Sequence, residues 1–158
     1  MFSTVSISNC FSDNSFDFNN TSSDADSYTW DFSDGNTSTA INPSHQFNLT
    51  GAFNVTLVAT NSSGCSHDTT MGPIHVYPNP NLLASIDTNL LCDSNSTVNF
   101  TGSSSNTSIA NWSWITGDGN ISNTMVGNFA YNYNGTGIFN PTLLATSTNG
   151  CIDSVAIG

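Results

Sequence analysis

Tyr28-Thr29-Trp30-Asp31-Phe32-Ser33-Asp34-Gly35 is the stretch on which the fold turns. Aromatic side chains stand at 28, 30 and 32 with polar ones between them, the period of a strand that buries one face. The run stops at Asp34-Gly35-Asn36, a turn sequence. Working outward, Phe16 and Phe18 alternate upstream, and Phe53, Val55, Leu57 and Ala59 alternate downstream, beyond the turn cluster Leu49-Thr50-Gly51. Short strands separated by turns, within roughly 80 residues, describe a small antiparallel β-sandwich.

The pattern then occurs again. Cys10, Phe16, Phe18, Trp30, Asp34-Gly35, Gly51, Phe53, Leu57 and Gly64-Cys65 are followed by Cys92, Val98, Phe100, Trp114, Asp118-Gly119, Gly137, Phe139, Leu143 and Gly150-Cys151. The offset grows from 82 at the first cysteine to 84 at the tryptophan and 86 at the last cysteine, so two short loop insertions separate otherwise matching frames. Pro78-Asn79-Pro80-Asn81 marks the seam, which gives one repeat over 1–78 and a second over 79–158. In the second repeat Pro141 takes the place of Val55, and a residue that cannot donate to a ladder predicts an edge strand or a bulge there. Twelve residues follow Cys65 up to Tyr77, but seven follow Cys151, so the last strand of the second repeat is expected to be truncated and its sheet edge open.

Composition removes whole classes of function. The chain has no Lys, Arg or Glu, and its 11 acids are all Asp. Asn, Ser and Thr supply 23, 25 and 20 residues, which favour turns and caps over helix interiors. A net charge of −11 with no basic patch repels phosphate backbones and anionic membrane surfaces, so no nucleic acid is expected as a partner. No apolar run approaches the ~20 residues of a spanning helix, and no membrane insertion is expected. The uncompensated aspartates repel one another within a Debye length of ~8 Å at physiological salt, so divalent cations are expected to stabilise the chain even without a defined site.

The residues that carry the pattern also carry a resemblance. Tyr28 to Gly35, then Asn42-Pro43-Ser44-His45-Gln46-Phe47, then Gly51-Ala52-Phe53-Asn54-Val55-Thr56-Leu57 is similar to the PKD (polycystic kidney disease) domain, whose pattern is W-D-F-G-D-G, N-P-x-H-x-Y and G-x-Y-x-V-x-L. Trp114-Ile115-Thr116-Gly117-Asp118-Gly119, Phe129 to Tyr133 and Gly137-Ile138-Phe139 resemble it more loosely. Ser33 stands where the family has glycine, and Ile115-Thr116 where it has Asp-Phe. The resemblance implies two tandem immunoglobulin-like sandwiches of about seven strands each, an all-β chain of a kind found outside cells.

Four cysteines allow three connectivities. Their equivalent placement in the two repeats favours Cys10–Cys65 and Cys92–Cys151, closing intervals of 55 and 59 residues. In the chain-entropy account each such bridge stabilises by about 4 kcal/mol, and disulfides point to an oxidising compartment. Trp30 and Trp114 read as core aromatics. Some PKD domains resemble calcium binders with Asp in the loop before the Trp strand, which makes Asp24 and Asp26 the weak calcium candidates. Calcium wants six to eight oxygens, so solvated turn aspartates are the favoured reading, and no other cofactor is expected. His45 holds the family's His position and is expected to pack and hydrogen-bond, whereas His67 and His75 are too far apart in sequence for a metal pair.

Catalysis has little to draw on. There is no cation to clamp an anion, no Glu, and no G-x-S-x-G elbow, so no enzyme is expected. The expected function is a structural or adhesive repeat module of a bacterial or archaeal cell-surface adhesin, stalk or filament, a disulfide-clamped spacer or polymerising unit. Long PKD arrays on gliding bacteria resemble it. Its partners would be neighbouring repeats or subunits of the same protein, with surface glycans as a further class. The rival expectation is an accessory polysaccharide- or protein-binding module of a secreted hydrolase.

Overall fold

In the computed structural model, which describes residues 1–158, alternation of residue type becomes alternation of burial. The chain divides into two units, Met1–Tyr77 and Pro78–Gly158. The first holds β1 (Phe2–Thr4), β2 (Ser8–Cys10), β3 (Ser15–Asn20), β4 (Ser27–Asp31), β5 (Thr37–Ser38), β6 (Ser44–Gln46), β7 (Gly51–Thr60) and β8 (Ser66–Tyr77). One sheet has the order β1-β3-β6 and the other β2-β8-β7-β4-β5, with β2 and β8 parallel and the other pairs antiparallel. Phe2, Phe16 and Phe18 from the first sheet meet Trp30, Val55, Leu57, Ile74 and Val76 from the second, and Phe32 and Phe47 close the core just beyond β4 and β6.

Trp30 is fully buried at the centre of this sandwich, with Phe2 edge-on at 4.9 Å and Phe18 at 5.8 Å between ring centroids. Its indole Nε1 donates to the Ala40 carbonyl at 2.9 Å, so the largest side chain enters the core with its polar edge satisfied. Asn14 is the buried polar exception. Its Oδ1 accepts from the Phe47 amide at 2.7 Å and its Nδ2 donates to the Phe11 carbonyl at 2.8 Å, pinning the turn before β3 to the end of β6.

The second unit holds β9 (Leu82–Ile86), β10 (Leu90–Leu91), β11 (Ser96–Ser104), β12 (Ile109–Ile115), β13 (Ile121–Thr124), β14 (Phe129–Tyr133), β15 (Gly137–Ile138), β16 (Thr142–Ser147) and β17 (Ile152–Ala156). Sheets β14-β11-β9 and β13-β12-β16-β17 enclose Leu82, Val98, Phe100, Trp112, Trp114, Tyr133, Leu143 and Ala145. Trp114 repeats the arrangement of Trp30, fully buried, with Nε1 donating to the Gly127 carbonyl at 3.0 Å. Both units are thus immunoglobulin-like sandwiches. The seven-stranded frame becomes eight and nine strands because the first strand is split in each, and one further strand is broken in the second.

That break is at Pro141. β7 runs unbroken for ten residues, but its counterpart divides into β15 and β16 with Pro141 directly ahead of Thr142. The expectation of an edge strand or bulge is corrected here. β16 lies between β12 and β17, so proline is accommodated by interrupting the strand, and its carbonyl still accepts from the Ile157 amide at 2.8 Å. The open edge expected beside it is also filled. In the first unit Gly51 and Ala52 pair with Val76 and His75 of β8. In the second, Gly137 and Ile138 pair with Leu91 and Leu90, so β10 occupies that ladder position, while β17 has five residues to the twelve of β8.

The cysteine pairing expected within each repeat is not what the fold builds. Cys65 and Cys92 are free and exposed, so neither expected pair forms. Strand length is the reason. Cys10 is in register with Tyr77 at one end of β8, and Cys65 precedes Ser66 at the other end, a separation on the order of 35 Å along a 12-residue strand. A disulfide needs Cα atoms within about 7 Å. Likewise Cys92 follows Leu91, opposite Gly137, and Cys151 lies past Ser147 at the far end of β16. Equivalent placement in sequence put the two cysteines of a repeat at opposite poles of its sandwich.

Candidate functional site

Three sets of side chains carry the chemistry of this chain, and the first two recur in both units. The first is a clasp at the Asp-Gly turn. Asp34 Oδ1 accepts from the Asn36 amide at 3.0 Å and its Oδ2 from Asn36 Nδ2 at 3.1 Å, which closes the turn after β4. Gly35, at φ +92°, supplies the left-handed residue that this turn demands. The same carboxylate lies 2.8 Å from His45 Nε2, reaching β6 of the other sheet. His45 is stacked on Phe32 at 3.9 Å and lies edge-on to Phe47 at 4.6 Å, so its ring is held by the core. Packing and hydrogen bonding are its roles.

The second unit makes the same clasp with different residues. Asp118 accepts from Asn120 at its amide and side chain, both at 3.1 Å, and from the Thr116 hydroxyl at 2.5 Å. Tyr131, two residues before Tyr133 as His45 is two before Phe47, donates its hydroxyl to Asp118 Oδ2 at 2.8 Å. Thr116 takes the place of Phe32, fully buried, and its carbonyl receives the hydroxyl of Tyr133. A ring-and-ring contact in one copy has become a hydroxyl network in the other.

These bonds set the titration of the clasps. Burial raises the Asp34 carboxyl, but the Asn36 amide, the His45 and Asn36 side chains and the His45 charge outweigh it and leave it below the usual range. Burial also raises Asp118, and the hydrogen bonds from Thr116, Tyr131 and Asn120 overcome it and bring it down to about 2. Tyr131 is raised by burial and by the bond to Asp118. Tyr133 is pushed up to about 12 by burial and by the neighbouring Asp118 and Tyr131. Shifts this large at carboxylates are the kind that mark functional sites. Here every perturbing group belongs to a turn closure, and the carboxylates stay ionised acceptors.

The second set is the cysteine turn. Between β7 and β8, Asn61 Oδ1 accepts from the Cys65 amide at 3.0 Å while the Asn61 amide donates to the Cys65 carbonyl at 3.0 Å. Between β16 and β17, Ser147 Oγ accepts from the Cys151 amide at 3.1 Å and the Ser147 amide donates to the Cys151 carbonyl at 2.8 Å. Gly64 and Gly150, at φ +81° and +83°, complete identical turns. The other cysteines also share a setting. Ser6 Oγ both donates to the Ser8 carbonyl and accepts from the Ser8 amide two residues before Cys10, and Thr88 does the same with Leu90 before Cys92.

The third set is the calcium candidate, and the fold uses it otherwise. Asp26 Oδ2 accepts from the Ser62 amide at 2.6 Å, tying the loop before β4 to the cysteine turn, and Asp24 occupies a bend at φ +57°. No group of three His, Cys, Asp or Glu side chains that could hold a metal ion forms anywhere in the chain. His67 and His75 both lie on β8, where His75 stacks on Tyr77 at 5.7 Å. What sequence reasoning missed was Tyr131 and Thr116 as clasp residues. The offset of 86 that maps His45 onto Tyr131 was the signal that could have found the first.

A family model described as the PKD domain matches residues 8–76 and again residues 78–157. No curated protein sequence matches the chain. Among solved structures, the fibronectin(III)-like modules of Clostridium thermocellum CbhA are 15% identical, with 99% of this chain and 93% of that one covered and a TM-score of 0.45. The amphioxus IgVJ-C2 molecule is 15% identical over 91% of this chain and 94% of that one, with a TM-score of 0.40. A structure of carbohydrate-binding modules from the β-sandwich superfamily is 15% identical, covering 99% of this chain and 82% of that one, with a TM-score of 0.46.

Proposed function

Since the chain belongs to the PKD domain family and carries two copies in tandem, we propose that it is a non-catalytic structural module of an extracellular surface protein, a spacer that bears tension. The observation that carries this reading is the parallel pairing of β2 with β8, Ser8 with His75, Asn9 with Val76 and Cys10 with Tyr77. One strand lies early in the first unit and the other at its end. Pulling the ends of that unit apart therefore slides the two strands along each other, and all their hydrogen bonds share the load at once. The presence of disulfide-bonded cysteines supports an oxidising compartment. No helix is long and apolar enough to cross a membrane. The clasp aspartates support a structural role too, because their hydrogen-bonding capacity is taken up by turns.

The test is single-molecule extension of the chain between identical handles under reducing conditions, so that no disulfide bypasses the first unit, with a parallel binding panel on chitin, cellulose and collagen. A spacer gives a high-force unfolding event for the first unit and no retention on the panel. Unfolding at negligible force, or firm binding to one of those polymers, would replace the spacer with the accessory-module reading.

A further inference from the structure

Asn-x-Ser/Thr, with x not proline, is the acceptor pattern for N-linked glycans, and it occurs twelve times in this chain, from Asn19 to Asn134. The fold commits ten of them. Asn36, Asn99, Asn106 and Asn120 donate through Nδ2 to Asp34, Asp87, the Asn79 carbonyl and Asp118. Asn20 and Asn61 accept backbone amides at Oδ1. After Asn19, Asn54 and Asn95 the hydroxyl is taken: Thr21 donates to the Met1 carbonyl, Thr56 bonds Thr70, and Thr97 donates to Asn132. Asn111 lies inside β12, between β13 and β16 and ahead of buried Trp112. The two that remain are Asn48-Leu49-Thr50 and Asn134-Gly135-Thr136. In both, the Asn and the Thr are exposed, lie outside the strands and make no side-chain hydrogen bond. They are also counterparts, 86 positions apart, one in the turn from β6 to β7 and the other in the turn from β14 to β15. Each leads into the glycine that opens the next strand, Gly51 or Gly137.

We propose that Asn48 and Asn134 are N-glycosylated, one glycan on each sandwich. An acceptor asparagine has to enter the transferring enzyme with its own backbone unpaired, and the hydroxyl two residues on has to be free to be read. Of the twelve, these two meet both needs without breaking a bond of the fold. The co-substrate is a glycan carried on a polyprenyl pyrophosphate, and the catalyst is an oligosaccharyltransferase. Asparagine Nδ2 attacks the anomeric carbon, the C–N bond forms, and the C–O bond to the pyrophosphate breaks. Polyprenyl pyrophosphate leaves with the bonding pair and the amide nitrogen gives up one proton, so nothing is oxidised or reduced. The sugar adds bulk and hydration at an exposed turn, the kind of place where proteases nick a folded chain.

The proposal rests on the extracellular placement in the spacer reading, and its test leaves tension-bearing aside. The folded chain is incubated with an oligosaccharyltransferase that accepts Asn-x-Ser/Thr and with its polyprenyl-pyrophosphate-linked glycan, beside the reduced and denatured chain. Products are sized, cleaved at Asp and mapped by mass spectrometry. The folded chain is expected to gain two glycans, on Asn48 and Asn134, while the denatured chain takes them at further Asn-x-Ser/Thr sites as well. Thr50→Ala and Thr136→Ala, at exposed side chains without partners, each remove one step of the mass shift and leave the other. A folded chain that takes no sugar at Asn48 and Asn134, where the denatured chain takes it, overturns the proposal. Equal occupancy of Asn36 or Asn120 in the folded chain does so too, because the fold would then not be selecting. A chain that yields at negligible force yet accepts both glycans would retire the spacer and keep these sites.

Discussion

Asp118 shows how much a single turn residue does in this chain. Its folded carboxyl, at about 2, is a stronger acid than the ordinary 3.8, so the folded state releases a proton that the unfolded chain retains as pH falls. Its contribution is whole above pH 4 and disappears as pH drops towards 2. The tyrosines have the opposite sign. Tyr133, raised to about 12, favours the fold below pH 10 and stops doing so as pH rises through 12. Asp118→Asn should therefore flatten the acid limb of the second unit's denaturation curve, read by the fluorescence of Trp112 and Trp114 in a Trp30→Phe background, and leave the slope above pH 5 unchanged. Ser33 offers a second test. It stands at φ +58°, where its counterpart Gly117 stands at +87°, and it offsets that strain with hydrogen bonds from its amide to Asp31 Oδ1 at 2.8 Å and from its hydroxyl to the Asn54 carbonyl at 2.7 Å. Ser33→Ala loses the hydroxyl bond and keeps the strain, at about 1 kcal/mol, while Ser33→Gly relieves the strain and returns close to the parent. Equilibrium urea unfolding checks the order.

Elements in this molecule are set by close backbone approach as much as by strand propensity. In the second unit β11 and the segment before β14 pass so near each other that a Cβ on Gly127 would stand 2.0 Å from the Gly102 carbonyl oxygen. The same segment presents the Gly127 carbonyl to Trp114, so the strand spacing and the satisfaction of the indole are one feature. Gly127→Ala has to push backbone from backbone, and a cost of about 3 kcal/mol is expected, beside a near-neutral Gly135→Ala, where nothing lies within 4 Å. Urea midpoints of the two variants decide it. Pro141 acts at the same scale by breaking a strand that its counterpart leaves whole.

For the whole molecule, the absence of Lys and Arg is as consequential as any contact. His45 with Asp34 is the one ion pair between side chains that the fold forms, and it requires a protonated imidazole. Cohesion rests on two aromatic cores, strand ladders and the dense Asn, Ser and Thr turns. Trypsin, which needs Lys or Arg, should leave the reduced and denatured chain at its full mass of 16.7 kDa, whereas a protease cutting at Asp should reduce it to short peptides. Mass spectrometry reads both.

The sequence by itself determined the sandwiches, because alternation at Tyr28, Trp30 and Phe32 and again at Trp112 and Trp114 is a local property that any strand converts directly into one buried face. It determined the repeat and the turn chemistry of Asp34-Gly35 and Asp118-Gly119 for the same reason: those interactions span two or three residues. Only the tertiary structure decided the state of each cysteine, the filling of the second unit's edge by β10, and the meeting of Tyr131 with Asp118. Each of these depends on which end of a strand a residue reaches. Twelve residues of β8 carry the chain from one pole of its sandwich to the other, and spacing along a sequence does not record direction in space.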